Sequence, residues 1–170
     1  MNTRLGISLS ILCFVVVLLP AAQSSAQMPP AIAVPGDTIV ATFHAEGAQI
    51  YECKPDPKNK LFWMLREPVA VLISGDKTVG FHNAGPNWQH IDGSAVQARM
   101  VSAVPGATFS DVPWLKLEAT GHRGDGILSH VAAIQRINTK GGAMQGPCET
   151  AGLYRSVPYS ADYIFLRKRG

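Results

Sequence analysis

Trp114-Leu115-Lys116-Leu117-Glu118-Ala119-Thr120 sets Leu115, Leu117 and Ala119 against Trp114, Lys116, Glu118 and Thr120. A period of two is the signature of a strand with one buried face. Upstream, Ala95 to Val101 repeats the pattern with Val96, Ala98 and Met100 on one side, and Val104 to Asp111 turns around Pro105-Gly106. Thr38 to His44 aligns Ile39, Ala41 and Phe43, while Gln49 to Lys54 aligns Gln49, Tyr51 and Cys53. Glu46-Gly47 between these two runs predicts a hairpin.

Lys60 to Arg66 and Val69 to Ser74 follow, split by Pro68, which lacks the N–H of a central ladder and marks an edge, bulge or corner. Ser74-Gly75-Asp76-Lys77 predicts a turn into Thr78 to His82. Asn83 to Gly93, interrupted by Gly85, Pro86 and Gly93, reads as a structured loop packed through Trp88 and Ile91. Downstream, Gly121 to Gly126 is a glycine-rich hairpin loop, and Ile127 to Thr139 is the longest expected strand, apolar on both faces near Val131 to Ile134 and so placed mid-sheet. Lys140 to Gly152 reads as loop, and Asp162 to Arg167 as a short aromatic strand. No run sustains helical periodicity over three turns. The expected fold is all-β: a single-domain β-sandwich, or a closed or partly open β-barrel, of about 8–10 short antiparallel strands.

The first residues differ in kind. Arg4 precedes a 13-residue run from Ile7 to Leu19 that is almost wholly apolar, and Ser24-Ser25-Ala26 supplies small residues before Gln27. This is the layout of a secretory signal peptide over residues 1–26, too short for a helix that spans a bilayer. Cys13 lies within it, preceded by Leu12 where a lipoprotein processing site needs a small residue. Cleavage after Ala26 leaves 144 of the 170 residues and lowers the net charge from +3 to +2, with no membrane span retained. Residues 27–36, with Pro29, Pro30 and Pro35, form an extended lead-in, and residues 37–170 form the domain. A chain of this length buries about 68% of its unfolded surface, enough for a core without metals. Cys53 and Cys148 are the cysteines left after cleavage, and in a secreted or periplasmic protein they are expected to form a disulfide.

Five motifs occur in order: Tyr51-Glu52-Cys53; Gly85-Pro86-x-Trp88 with Asp92-Gly93-Ser94; Pro113-Trp114-Leu115; Ile134-Gln135-Arg136-x-Asn138-Thr139-x-Gly141-Gly142; and Val157-Pro158-Tyr159-x-Ala161-x-Tyr163-x-Phe165. Together they resemble a family of small secreted bacterial and fungal proteins classified only as a domain of unknown function. The resemblance implies secretion and one domain, and no agreed activity. The chain departs from the family pattern at Ala143-Met144-Gln145, where relatives carry a proline soon after the paired glycines. A nicotinamide dehydrogenase label borne by some relatives has no support here, because Gly121, Gly124 and Gly126 spell GxxGxG, the reverse of the phosphate-cradling order. No cofactor is expected.

Chemistry concentrates between His82 and Ser94, where His82, Asn83, Trp88, His90, Asp92 and Ser94 gather. His82, His90 and Asp92 are the candidate catalytic residues, since an aspartate can orient an imidazole and two histidines with a carboxylate are the minimum for a catalytic zinc or iron. No metal signature fixes that geometry, and these groups can equally satisfy loop backbone. Asp92-Gly93-Ser94 lacks the strained turn of a serine nucleophile and reads as a turn. Trp88 is either a core plug or an aromatic platform for a ligand. Arg136, on an otherwise apolar strand, demands a carboxylate or an anionic ligand, and Asp92 and Asp162 are its expected partners. His44, His122 and His130 form no constellation; His122 is expected to be exposed. Tyr154, Tyr159 and Tyr163 are expected to cluster beside the Cys148 bridge, and Trp63 and Trp114 to pack within strands.

These features give an exported module that binds a small molecule or a surface glycan through Trp88, His90, Asp92, Ser94 and Arg136. The alternatives are an exported enzyme with a His/Asp site, with or without a metal, and a structural or envelope-interaction protein. Scattered basic residues exclude nucleic acid, and the sequence sets no oligomeric state.

Overall fold

The structure, a computed structural model, describes residues 28–170; the leader expected over residues 1–26 lies outside the described residues. Alternating side chains build eight strands: β1 (Thr38–Pro55), β2 (Leu61–Ser74), β3 (Lys77–Asn83), β4 (Asn87–His90), β5 (Ala95–Val104), β6 (Trp114–Arg123), β7 (Ala133–Gly141) and β8 (Tyr154–Arg167). Each pairs antiparallel with the next, and β8 returns along β1 from Thr38↔Arg167 to Glu52↔Tyr154, so the sheet closes into a barrel in sequence order. Closure removes the unpaired edges that an open sheet would have to protect. An interior of eight strands is filled by side chains or holds one small ligand. Among the described residues, no helix is long and apolar enough to cross a membrane.

Four expectations about the strands are corrected. The hairpin at Glu46-Gly47 does not form: β1 runs straight through, and Gly47 lies between Ala70 of β2 and Tyr159 of β8. A Cβ there would overlap the Val69 carbonyl and the Ala70 backbone, so glycine serves close strand approach and not a turn. The loop expected over Asn83 to Gly93 contains β4, which pairs with β3 and β5 and carries Trp88. The strand expected from Ile127 begins only at Ala133. Before it, Ser129 donates from its backbone N (3.1 Å) and Oγ (2.7 Å) to the Gly126 carbonyl, and Leu128 and Val131 drop into the core as a plug. The last strand starts at Tyr154, well before Asp162. In the lead-in, Pro30–Ile32 makes one 3-10 turn in place of a fully extended path; Ile32 is buried, and its carbonyl accepts from Gln135 Nε2 at 2.7 Å.

Pro68 behaves as an edge residue. It faces Gln49 of β1, whereas β3 begins to pair only at Ala70↔His82, so at Pro68 the strand has a partner on one side alone, where proline is tolerated.

The two ends of the barrel differ. At one end, Leu128 and Val131 are buried in the same core cluster as Phe43 and Phe165 and close the interior. The other end carries the Cys53–Cys148 disulfide, with Cα atoms 6.0 Å apart and a sequence separation of 95 residues. Around it, Cys53 N donates to Leu153 O (2.9 Å), Trp63 N to Gly146 O (3.1 Å) and Cys148 N to Leu61 O (3.1 Å), lacing the long 142–153 connection to β1 and β2. The Ala143-Met144-Gln145 stretch is held there by Tyr51, whose hydroxyl donates to Gly142 O (2.8 Å) and accepts from Met144 N (3.2 Å).

Candidate functional site

Inward-facing residues of the middle layer build an aromatic and polar cluster. Cross-strand pairing puts His82 of β3 opposite Trp88 of β4, and their rings stack with centroids 4.4 Å apart. Tyr163 of β8 meets both edge-on, at 5.0 and 5.4 Å. Its own partner across β7 is Arg136. Tyr159 and Tyr163 thus enter the barrel, with hydroxyls 3.4 Å apart, while Tyr154 stays outside under the Arg66 guanidinium, 5.0 Å from its ring centroid; the tyrosines do not gather at the bridge.

His82 is 2% exposed. Its Nδ1 lies 3.0 Å from the Asn87 carbonyl, which can only accept, so Nδ1 carries the proton. Burial lowers the imidazole pKa to about 4; the Asn87 bond opposes this and the Arg136 charge adds to it, so the ring is neutral near pH 7. Burial likewise raises the phenols of Tyr159 and Tyr163 above the ordinary range, against the pull of Arg136.

Arg136 is 9% exposed and has no carboxylate partner among the described residues. Its Nε and Nη2 both donate to the Pro113 carbonyl, at 3.1 and 2.9 Å. The partnership expected with Asp162 fails because Asp162 follows from the opposite face of β8, where it binds His44 Nδ1 (2.8 Å) and Asn138 Nδ2 (2.8 Å). Asp92 fails because it belongs to the closed end.

Between this cluster and the disulfide end is a cavity of about 480 Å³. Gln49, His82, Trp88, Arg136 and Tyr163 form its deep part. Apolar side chains line the rest, and Leu65 and Met100, both more than half exposed, stand at the mouth. The charges on the rim cancel: Arg66 Nε lies 3.0 Å from Glu67, Arg66 Nη1 lies 3.3 Å from Glu52, and Lys54 Nζ lies 2.9 Å from the same Glu52 carboxylate. Two deep donors have no partner among the described residues, Nε2 of Gln49 and Nε1 of Trp88, although each side chain is 1% exposed.

The remaining residues of the His82 to Ser94 stretch do different work. His90 stacks on Phe43 at 5.5 Å and its Nδ1 sits 3.0 Å from Asp92 Oδ2. Asp92 accepts from Ser94 N (2.9 Å), Ser94 Oγ (2.6 Å) and Ile127 N (2.8 Å), and Ser94 Oγ accepts from Leu128 N (3.1 Å). Desolvation pushes the Asp92 carboxyl up, but the bonds from Ser94, Ile127 and His90 outweigh it and hold the group well below the usual range. Asp92 and Ser94 therefore tie down the plug. Trp88 and Arg136 line the cavity; His90, Asp92 and Ser94 do not. No trio of His, Cys, Asp or Glu among the described residues is arranged to hold a metal. His122, exposed as expected, bonds the Val131 carbonyl through Nε2 at 2.7 Å.

Asp92→Asn would turn an amide donor toward one of the N–H groups the carboxylate now serves. We expect a loss of about 2 kcal/mol in urea unfolding, with faster amide exchange at Ile127 and Leu128; unchanged exchange would remove Asp92 from this role.

Sequence reasoning missed Gln49 and Tyr163. Gln49 left a signal, a polar residue on the same face as Tyr51 and Cys53. Tyr163 left none, since its meeting with Arg136 depends on the register of β7 against β8.

A family model described as "Protein of unknown function (DUF3455)" matches residues 34–167. No curated protein matches the chain, and neither does any solved structure.

Proposed function

Because the chain belongs to this family of proteins of unknown function, we propose a role from its interior: an exported binding module that takes a small, partly apolar molecule into the barrel through the disulfide end. The observation that carries this reading is the cavity of about 480 Å³ with unpartnered donors at its base. Its volume is that of a small-molecule site, and its few polar groups converge on one region of an otherwise apolar wall. Each buried donor without a partner costs about 1–3 kcal/mol, and a bound acceptor would relieve that cost. Export is supported by the leader pattern of residues 1–26 and by the Cys53–Cys148 bridge.

An apolar wall favours a small molecule over a surface glycan, whose many hydroxyls need a more polar face. Thermal-shift screening against small metabolites and glycan fragments tests the reading. Ala103 stands exposed beside the mouth, so Ala103→Trp narrows the entrance from outside the core. Genuine ligands raise the Tm of the parent protein and lose most of that shift in Ala103→Trp. Hits that stabilise both proteins equally would place binding elsewhere.

A further inference from the structure

Taking the cavity as the binding site, we infer that its ligand is a small monocarboxylate with an apolar body, its carboxylate seated by Arg136, Gln49 and Trp88. Glu67 is the one acidic residue on the cavity wall, and it is paired with Arg66 at the rim. That leaves Arg136 as the uncompensated charge of the wall, at 9% exposure. A buried guanidinium without an anion is strongly unfavourable, and a complementary anion is the direct remedy.

The hydrogen-bond inventory narrows the choice. A guanidinium offers five N–H bonds, and the Pro113 carbonyl engages only Nε and Nη2. The unpartnered atoms of Gln49 and Trp88 are an amide nitrogen and an indole nitrogen, so both can only donate. Three neighbouring side chains therefore present donors with unused capacity. What fits is an acceptor-only group of one negative charge, and a carboxylate brings two oxygens with about four lone-pair sites. A phosphate ester would bring nearly two charges to a single cation, with no helix N-terminus or second free base among the described residues of the wall to meet it. Leu115, Leu117, Pro113 and Met100 supply the apolar wall along which the rest of the molecule would lie.

Matched acids and amides separate this inference from the reading beneath it. Octanoate and octanamide, and phenylacetate and phenylacetamide, differ little in shape but differ in charge. Calorimetric titration near neutral pH is expected to show each acid binding at least about tenfold more tightly than its amide. Arg136→Gln should weaken the acids by about 10- to 100-fold and leave the amides nearly unchanged. Arg136→Lys keeps a charge and should retain part of the preference. Gln49→Leu and Trp88→Phe, which remove one donor each while keeping bulk, should weaken the acids several-fold.

Amides that bind as tightly as their acids would overturn the carboxylate assignment while leaving the cavity as the site, provided Ala103→Trp abolishes both. Acids that bind unchanged in Arg136→Gln and Gln49→Leu would overturn it too, by placing the anion elsewhere. Binding of neither acid nor amide to the parent protein would overturn the assignment and the cavity reading together.

Discussion

Removing the Cys53–Cys148 bridge is expected to lower the unfolding free energy by about 4–5 kcal/mol and the Tm by about 10–15 °C. The sulfurs are 95 residues apart in sequence, so the cross-link deletes a large set of open conformations from the unfolded ensemble. In the native barrel the bridge has a local task as well. It fixes the 142–153 connection, whose other ties include a few backbone bonds to β1 and β2, the Ala143 N–H donated to Ser110 O (3.0 Å), and the contacts of Gly142 and Met144 with Tyr51. Cys53→Ala with Cys148→Ala, compared with the parent by urea unfolding, checks this. A loss below about 1 kcal/mol would show that the loop is held without the sulfurs.

The second large effect is a loss of stability in mild acid that traces to one residue. The pKa of His82 falls from 6.5 in the unfolded chain to about 4 in the barrel, chiefly through burial. The unfolded chain therefore binds the proton first as pH drops. The contribution is fully present above pH 6.5, declines through the interval below it, and is spent once pH falls past about 4. A gap of that size corresponds to about 3 kcal/mol. His82→Phe keeps a flat ring against Trp88 and cannot titrate, so its stability should be nearly level across the same interval. Parallel slopes for the two proteins would move the acid sensitivity to other groups. Asp92 acts at lower pH: its folded pKa is depressed, so its contribution holds above the ordinary carboxylate value of 3.8 and fades as pH falls further.

Both effects were within reach of the sequence to different degrees. A long-range pairing of the cysteines that remain after the leader needs no geometry, only the redox compartment. Period-two alternation was equally legible, as Leu115 and Leu117 on the cavity wall attest. Connections were harder. Gly47 looks like a turn residue in one dimension, and its true reason, two strands crowding its α-carbon, exists only after pairing. Leu128 and Val131 read as strand because a buried plug and a buried strand are equally apolar. Trp88 sat in what looked like a loop because β4 is four residues long, too short to show alternation.

The site was half legible for the same reason. An arginine on an apolar strand signals an anion, but whether that anion is an aspartate depends on which face the aspartate takes. Asp162 is adjacent in sequence to Tyr163, the partner of Arg136, and that single step carries it to the outside of the barrel. Density of polar residues between His82 and Ser94 pointed to the right strands and the wrong layer. There the carboxylate and hydroxyl hold the plug, and the histidine next to the tryptophan faces the cavity.

The indole N–H signals of the three tryptophans give the most direct measure of the central claim, that an anion enters the barrel and meets donors at its base. In nitrogen–proton correlation spectra, the signal missing from Trp88→Phe is expected to move progressively as octanoate is added and to stay in place with octanamide, while the signals of Trp63 and Trp114 hold still. Saturable octanoate binding that leaves the Trp88 signal unmoved would contradict the account.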